Sequence, residues 1–299
     1  MISFLRLALL LALPVCGLPA APQEITFCHY NVENYVDEQP PREGQRTGTK
    51  AKPEKEIAAV IHLLGEIRPD ILGVCEMGSP ERFADFRNRL KQAGLDYHEA
   101  EYVSGPDEAR HLALLSRFPI MERNSRTDVS FDLNGQPEKV RRGILDVKVQ
   151  VTPSYQLRLV GVHLKSKLPT PEGEALLRRS ESQEVRAHLE QILTSSPQVN
   201  LLCYGDLNDA KNTTTFQEIT GPRGSPTRLV DLPARDSHGD RWTHYWKVAD
   251  QYSRIDYLFA SPALVPEVVK ESATVHSSPR WNEASDHRPI YVRILPIDR

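Results

Sequence analysis

The most informative feature of the sequence is a group of polar residues at the end of an apolar run. The segment "LLCYGDLNDA" places Asp206 and Asn208 directly after a stretch that has the character of a buried strand. A carboxylate at such a position is costly unless a partner lies near it. Polar residues also end or border other strand-like runs, and they are Asn31, Glu33, Glu76, His163, Lys165, Asp256, Asp286 and His287. Strand ends that converge on one rim of a sheet commonly carry a functional site.

The residue types in this set suit the metal-assisted hydrolysis of a phosphate ester. The carboxylates of Glu76, Glu33 and Asp286 are hard oxygen ligands of the kind that Mg²⁺ or Mn²⁺ prefers. Such an ion polarises a phosphoryl oxygen and offsets the charge of the leaving group. Histidines beside carboxylates can be held charged against a phosphate oxygen or be oriented as bases. No Cys, Ser or Lys has the neighbours that a covalent nucleophile needs, so we expect direct attack by water.

Basic residues near these motifs have two interpretations. Arg110, Arg142 and Lys165 could bind substrate phosphates, or they could be strand-edge charges that discourage aggregation. The formal net charge of -3 argues against a broad basic face for nucleic acid. A locally acidic site that a metal neutralises remains compatible with that charge.

Apolar strand-like runs alternate along the chain with helical patterns that position the polar residues. Ile57, Val60 and Leu64 repeat at helical spacing before Pro69, and a second helix follows the strand "DILGVCEM". A long charged segment from Glu174 to Leu193 is also helical in pattern. With no internal repeat and no shift in composition, residues 22–299 are expected to form one α/β domain with mixed sheets.

The first 21 residues have the layout of a secretory signal peptide. One cation, Arg6, precedes an apolar run that is too short to span a bilayer, and small residues and Pro follow it. We therefore expect a secreted or periplasmic protein with no stable membrane span. Removal of this leader would leave Cys28, Cys75 and Cys203, which we interpret as buried free thiols.

Seven segments together resemble the endonuclease/exonuclease/phosphatase superfamily, whose fold is deoxyribonuclease I-like. In order along the chain they are "NVEN", "GVCEM", "LALLSRFPI", "GVHLKSK", "YGDLND", "SRIDYLFAS" and "SDHRPI". The resemblance runs from about Thr26 to Ile294. It implies a four-layered α/β sandwich, in which two packed mixed β-sheets are flanked by helices and the site lies at one end.

The resemblance also implies roles for individual residues on the metal and phosphate side. Asn31 and Glu76 match the first Asn and the metal-binding Glu of the superfamily. Glu33 falls where some nucleases have an Asp that supports the metal. His163 matches the histidine that contacts the phosphate, and Asp286 is a further carboxylate on the metal side.

The same resemblance implies which residues position and activate the attacking water. Asp206 and Asn208 match the pair that places or deprotonates the attacking water, and Asp256 with His287 resembles the Asp-His pair. Asp206 and His287 are both candidates for the base. By themselves Asp206 and Asn208 could instead form an Asx-turn, and Asp256 could form a surface ion pair with Arg254.

The resemblance and the signal peptide together lead us to expect a secreted phosphodiesterase that depends on Mg²⁺ or Mn²⁺ and hydrolyses DNA or RNA. We also expect a monomer. A phosphomonoesterase, a sphingomyelinase-like phospholipid hydrolase or an inositol-phosphate hydrolase on the same scaffold is the alternative. A third possibility is a binding module that has kept only the scaffold. Such a module would lack some of the metal-binding and catalytic residues, whereas every expected polar position is filled in this sequence.

Overall fold

The computed structural model describes residues 23–38, 48 and 50–299. The predicted signal peptide at residues 1–21 lies outside the described residues. Within the described ranges, no helix is both long and apolar enough to cross a membrane.

The chain forms five α-helices and sixteen strands in the described part. The helices are α1 (Glu54–Ile67), α2 (Pro80–Gln92), α3 (Glu174–Ser195), α4 (Thr214–Thr220) and α5 (Trp281–Ala284). The strands are β1 (Ile25–Tyr35), β2 (Ile71–Met77), β3 (Glu99–Val103), β4 (His111–Ser116), β5 (Ile120–Arg123), β6 (Ser130–Leu133), β7 (Gln136–Lys139), β8 (Leu145–Thr152), β9 (Tyr155–His163), β10 (Leu201–Asp206), β11 (Val230–Asp231), β12 (His244–Trp246), β13 (Gln251–Ser253), β14 (Asp256–Ala260), β15 (Thr274–Val275) and β16 (Ile290–Ile294).

Two six-stranded mixed sheets form the centre of the fold. The first has the order β15-β16-β1-β2-β4-β3, and the second has the order β11-β14-β10-β9-β8-β5. The pairs β1-β2 and β9-β10 are parallel, and a parallel pair needs a crossover connection. Helix α1 supplies the first crossover and α3 supplies the second. The pairs β6-β7 and β12-β13 form separate two-stranded hairpins.

Three apolar clusters divide the fold into four layers. Phe27 and Leu114 of the first sheet share one buried cluster with Leu159 and Leu202 of the second, so the sheets pack face to face. A second cluster joins the outer face of the first sheet to α1 and α2. A third joins the outer face of the second sheet to α3 and α4. The predicted four-layered α/β sandwich is confirmed.

Most of the predicted elements occur where the sequence pattern placed them. Helix α1 ends at Ile67, just before Pro69, and α3 covers the long charged segment. Cys28, Cys75 and Cys203 are buried free thiols, as predicted. The pattern missed short peripheral strands such as β5 and the hairpin β6-β7, whose residues are largely exposed and polar.

Candidate active site

The polar residues at the strand ends lie on the faces that the two sheets turn toward each other. In β1, Phe27 packs between the sheets and Cys28 packs against the helices. The period-two alternation of a strand therefore puts Asn31 on the same side as Phe27. In β10, Leu202 packs between the sheets, so Asp206 points to that side as well. Both sheets thus deliver polar groups to one end of the space between them.

Three of the predicted residues form a row across the second sheet. Asp206 at the end of β10 pairs with His163 of β9 on one side and with Asp256 of β14 on the other. The preceding Gly205 has a φ of 148°, and a Cβ there would lie 2.0 Å from the carbonyl oxygen of Val162. Only glycine lets β10 approach β9 this closely directly before Asp206.

Glu76 reaches the site because a bulge interrupts β2. Cys75 faces the other sheet and Met77 packs with the helices, although strict alternation would put both on one side. The pairing of β2 with β4 shifts between these two residues, and Glu76 between them has a φ of 62°. Such a left-handed residue costs roughly 1–3 kcal/mol. In this position its Oε2 accepts a hydrogen bond of 2.8 Å from the backbone N–H of Asn34.

Asn31 lies at the centre of the cluster that results. Its Nδ2 donates to Asp206 Oδ2 at 3.1 Å and to Glu76 Oε1 at 3.3 Å, and it lies 3.4 Å from His287 Nε2. His163 Nε2 lies 3.7 Å from the same Asp206 oxygen and 4.0 Å from Glu76 Oε1. The structure therefore brings five of the predicted site residues, from both sheets, into one cluster.

Asp256 is buried between two histidines. His287 Nδ1 lies 2.8 Å from Asp256 Oδ2, and His29 Nε2 lies 3.2 Å from Asp256 Oδ1. Burial alone would raise the pKa of the Asp256 carboxyl, but the charge and hydrogen bonds of the histidines outweigh burial and lower that pKa. Burial likewise opposes protonation of His287, yet Asp256 raises the pKa of its imidazole well above the usual value. His287 is thus held as a cation by Asp256.

Asp206 differs from Asp256 in its electrostatic environment. Burial, with the nearby charge of Asp256, raises the pKa of the Asp206 carboxyl to about 6. Its Oδ1 accepts a hydrogen bond of 2.7 Å from the backbone N–H of Asn208, so the Asx-turn considered from sequence does form. Its Oδ2 remains directed at Asn31. Asn208 donates its own Nδ2 to the carbonyl oxygen of Leu164 at 3.1 Å, which orients this amide at the rim of the site.

His163 is a neutral histidine in this environment. Burial, assisted by the positive charge of Arg142, lowers the pKa of its imidazole well below the usual value. Its Nδ1 has no hydrogen-bond partner among the described residues. Its Nε2 points to the cluster around Asp206, where it can donate or accept one hydrogen bond without carrying charge.

The backbone at Glu33 departs from the sequence-based expectation. Because Asn31 and Glu33 are two residues apart, the sequence predicts that they project to one side of an extended chain. The φ angles are 43° at Glu33 and 51° at Asn34, so the chain is not extended there and this prediction is wrong. Glu33 Oε2 instead accepts a hydrogen bond of 2.9 Å from the backbone N–H of Asp286. Burial and repulsion by Asp286 raise the pKa of the Glu33 carboxyl. Lys52 Nζ donates to the Glu33 carbonyl oxygen at 3.0 Å and stabilises this bend.

Within the part of the chain that the structure describes, two overlapping triads bring potential metal-ligand atoms within 4.8 Å of one another. They are His244, Asp286 and His287, and Asp206, Asp256 and His287. Of the three predicted metal ligands, Asp286 belongs to one triad. Glu76 reaches the same cluster through Asn31, and Glu33 contacts the backbone of Asp286.

The chemistry of the site fits a hard divalent cation. Its carboxylates are crowded enough that the charge of Asp256 raises the pKa of Asp206 and the charge of Asp286 raises that of Glu33. A bound cation would stabilise the ionised carboxylates and relieve this repulsion. Glu76 and Asp286, which flank Asn31 and His287, would hold Mg²⁺ or Mn²⁺ through oxygen ligands.

Two of the predicted phosphate-binding residues differ in their exposure. Arg110 lies at the edge of the cluster, where its Nε donates to Asn34 Oδ1 at 2.9 Å and lies 3.7 Å from Glu76 Oε2. Its side chain is 28% exposed and can reach a ligand. Arg142 is buried and forms an ion pair of 3.0 Å with Asp107. Arg142 therefore acts on the site through its positive charge, which lowers the pKa of the buried His163.

Lys165 is engaged by its own loop. Its Nζ donates to the carbonyl oxygens of Ser166 at 2.8 Å and Leu168 at 2.7 Å. Burial, together with the charge of Arg141, lowers the pKa of its ammonium group to about 8. Its backbone N–H donates to the buried carboxylate of Glu181 on α3. Lys165 thus orders the loop after His163, and its contact with substrate stays a prediction.

Two functional residues escaped the sequence analysis. His29 lies two residues before Asn31 in β1, and strand alternation could have placed it on the same face. His244 lies 3.6 Å from Asp286 Oδ2 through its Nε2, but this contact depends on how the hairpin β12-β13 docks. The ion pair considered between Arg254 and Asp256 is wrong, because Arg254 pairs with Asp231 at 3.0 Å.

The two-sheet fold and this cluster together define a metal-dependent phosphoester hydrolase. The chain belongs to the Endonuclease/Exonuclease/phosphatase family, whose model matches residues 28–287. Enzymes of this family depend on divalent metals. A comparison with curated protein sequences gave no match.

Several solved structures have a similar fold at low sequence identity. The human Nocturnin catalytic domain with bound sulfate is 18% identical, with a TM-score of 0.64 over 90% of this chain and 93% of that one. Truncated TDP2 from Caenorhabditis elegans is 16% identical, with a TM-score of 0.61 over 91% and 98%. Sphingomyelinase C from Streptomyces griseocarneus is 14% identical, with a TM-score of 0.59 over 91% and 99%. At these identities the similarity concerns the fold.

Proposed function

We propose that this protein is a divalent-metal-dependent phosphodiesterase that hydrolyses DNA or RNA by attack of a water molecule. The observation that carries the proposal is the contrast between two buried carboxylates of one sheet. Asp256 stays ionised beside its histidines, whereas the pKa of Asp206 is raised to about 6. A carboxylate with a pKa near the working pH suits a general base.

The roles follow from this contrast. Asp206 takes a proton from the attacking water, while the imidazolium of His287 donates a hydrogen bond to a phosphate oxygen. Asp256 keeps His287 charged and oriented, and Asn31 holds the Asp206 carboxylate through its amide. His163 adds an uncharged hydrogen bond to the phosphate. Mg²⁺ or Mn²⁺, when bound, polarises the phosphoryl oxygen and offsets the charge of the leaving group.

The preference for nucleic acid rests on Arg110, whose side chain is 28% exposed at the edge of the cluster. An arginine at the open edge of the cluster can bind a phosphate of an extended backbone. A phospholipid hydrolase is the second candidate, because exposed apolar residues lie on a hairpin next to the site, namely Trp246, Val248 and Tyr252. A phosphomonoesterase or an inositol-phosphate hydrolase would use the same catalytic residues with a smaller substrate.

We also propose that the protein is secreted or periplasmic and monomeric. The support for export is the sequence of residues 1–21, with its cation, short apolar run and small residues. N-terminal sequencing of the protein from a culture medium or periplasmic extract would locate a cleavage site. Light scattering would measure the molar mass in solution.

The proposed activity can be tested with a panel of substrates. The purified protein would be assayed on plasmid DNA, RNA, sphingomyelin, inositol phosphates and bis(4-nitrophenyl) phosphate, with Mg²⁺, Mn²⁺ or EDTA. Asp206→Asn is the test variant, and Asp128→Asn is its matched control because Asp128 is an exposed carboxylate paired with Lys139. Cleavage of DNA or RNA that EDTA and Asp206→Asn abolish and Asp128→Asn preserves would support the proposal. Inert nucleic acid with turnover of lipid or monoester would overturn the proposed substrate.

A further inference from the structure

The hairpin β12-β13, which spans residues 244–253, adjoins the catalytic cluster. His244 forms an isolated β-bridge with His287, and the backbone N–H of Tyr245 donates to the carbonyl oxygen of Asp286 at 2.9 Å. These contacts attach the base of the hairpin to the segment that carries two site residues. The proposed mechanism has no role for the rest of the hairpin.

One face of this hairpin continues the wall of the site. His244 points into the cluster, where its ring centroid lies 4.7 Å from that of His287. Trp246 follows two residues later in the same strand, so it projects from the same face about 7 Å farther along. Its side chain is 52% exposed. A broad aromatic ring is thus available to solvent next to the catalytic cluster.

The opposite face of the hairpin is held by ring contacts, although Tyr252 remains 51% exposed. Tyr245 and Tyr252 are cross-strand partners whose rings stack with centroids 4.5 Å apart. Trp242 packs edge-on against Tyr252 at 4.8 Å and against Trp281 at 5.0 Å. These contacts restrain the hairpin and therefore the position of the Trp246 backbone beside the site.

The charges at the turn disfavour insertion of the hairpin into a lipid interior. The turn between the strands contains Lys247 and Asp250, and Tyr245 donates its hydroxyl to Asp250 at 2.9 Å. Burying this turn in a bilayer would require both charges to lose their hydration. An exposed aromatic ring beside a phosphate-hydrolysing site suits a nucleic-acid base, because proteins that bind single strands stack bases on such rings.

We propose that Trp246 is a substrate-binding residue that stacks on an unpaired base of the nucleotide next to the scissile phosphate. The preferred substrate is accordingly single-stranded nucleic acid or a frayed end, because a paired and stacked base offers no free face. This inference rests on the proposed nuclease function. It makes Trp246, which lies outside the catalytic cluster, a residue that selects single-stranded substrate.

The test compares Trp246→Ala and Trp246→Phe with the unmodified protein on two oligonucleotides. One single strand carries normal bases, and the other carries tetrahydrofuran residues in place of the nucleosides that flank the cleavage site. Val248→Ala is the matched control, because Val248 is 87% exposed on the turn of the same hairpin. Melting temperatures of all variants establish that each is folded.

For the normal oligonucleotide, Trp246→Ala should lower kcat/KM about 5- to 150-fold, the range expected when one stacked base is lost. Trp246→Phe should recover most of this loss, and neither variant should affect the base-free substrate. Quenching of tryptophan fluorescence when the oligonucleotide binds to Asp206→Asn should disappear in the double variant with Trp246→Ala.

The outcomes separate this inference from the proposed function. Cleavage of nucleic acid that Trp246→Ala leaves unchanged would overturn the stacking role while the nuclease function stands. Equal losses on the normal and base-free substrates would also overturn it. If the unmodified protein cleaves no nucleic acid but binds phosphatidylcholine–sphingomyelin vesicles, and Trp246→Ala and Val248→Ala both weaken that binding, the hairpin is a lipid-binding element and the nuclease proposal fails as well.

Discussion

Replacing Asp206 by Asn should make the cation-free protein more stable while it abolishes activity. Burial raises the pKa of this carboxyl from 3.8 to about 6, so the ionised form is penalised in the folded state. At 1.36 kcal/mol per pKa unit, the penalty is about 3 kcal/mol at a pH where Asp206 is fully ionised. Asn carries no charge to desolvate. It keeps an acceptor for the N–H of Asn208 but loses the hydrogen bond from Asn31, which costs about 1 kcal/mol.

The pH dependence of this effect has a definite sign. The folded protein binds the Asp206 proton more tightly than the unfolded chain, so stability falls as pH rises from about 3.8 to about 6. Below that window the carboxyl is protonated in both states and the charge penalty vanishes. The advantage of Asp206→Asn should therefore be absent near pH 4 and reach about 1–2 kcal/mol above pH 7.

Urea unfolding in EDTA at several pH values would measure the free energy of unfolding of the unmodified protein and of Asp206→Asn. Contributions from the other titrating groups largely cancel in the difference between these two free energies. Added Mg²⁺ should reduce the difference, because the cation stabilises the ionised carboxylates of the unmodified site. The reasoning would be refuted by a variant that is less stable than the unmodified protein at pH 8, or by a difference that does not change with pH.

Three further outcomes are expected. The value of kcat/KM in Mg²⁺ should rise with pH as Asp206 loses its proton to act as a base, and the rise should lie at or below about pH 6 because the cation stabilises the ionised carboxylate. A rate that falls between pH 5 and 7 would contradict this role. His29→Ala should lower kcat about tenfold with little change in KM, because Asp256 loses a hydrogen bond that holds its carboxylate in position beside His287. His29→Gln can donate a similar hydrogen bond and should restore part of the activity. Glu181→Ala should lower the free energy of unfolding by about 1–3 kcal/mol, because the backbone N–H groups of Arg141 and Lys165 lose their buried acceptor, and denaturant titration measures the change.

The parts of the site that sequence reasoning located are those that regular strands position. Asn31, His163, Asp206 and Asp256 lie toward the ends of strands that are buried on both faces, and each continues the face that packs between the sheets. These side chains come close together because the strands of both sheets that carry them end at the same rim. The family motifs supplied the pairing of the sheets, which the alternation of apolar residues does not specify.

The geometry that sequence reasoning did not specify depends on irregular backbone and on docking. Glu76 faces the cluster only through a left-handed bulge, and the chain bends at Glu33 where an extended strand was expected. His244 reaches Asp286 because a short hairpin packs beside the site. The charged pattern of α3 predicts that Arg178 lies on a solvated helix face, but Arg178 is buried and donates to the carbonyl oxygen of Lys165. Local sequence patterns do not encode such long-range contacts.

The most direct test of the account is the single-turnover rate at which a labelled single-stranded oligonucleotide is cleaved in Mg²⁺ at pH 7.5. The unmodified protein should cleave it and EDTA should stop the reaction. Asp206→Asn should lower the rate by about 10²- to 10⁴-fold, as expected for the loss of a general base, while the melting temperature of the variant in EDTA is equal or higher. A rate within tenfold of the unmodified protein would contradict the assignment of Asp206 as the base.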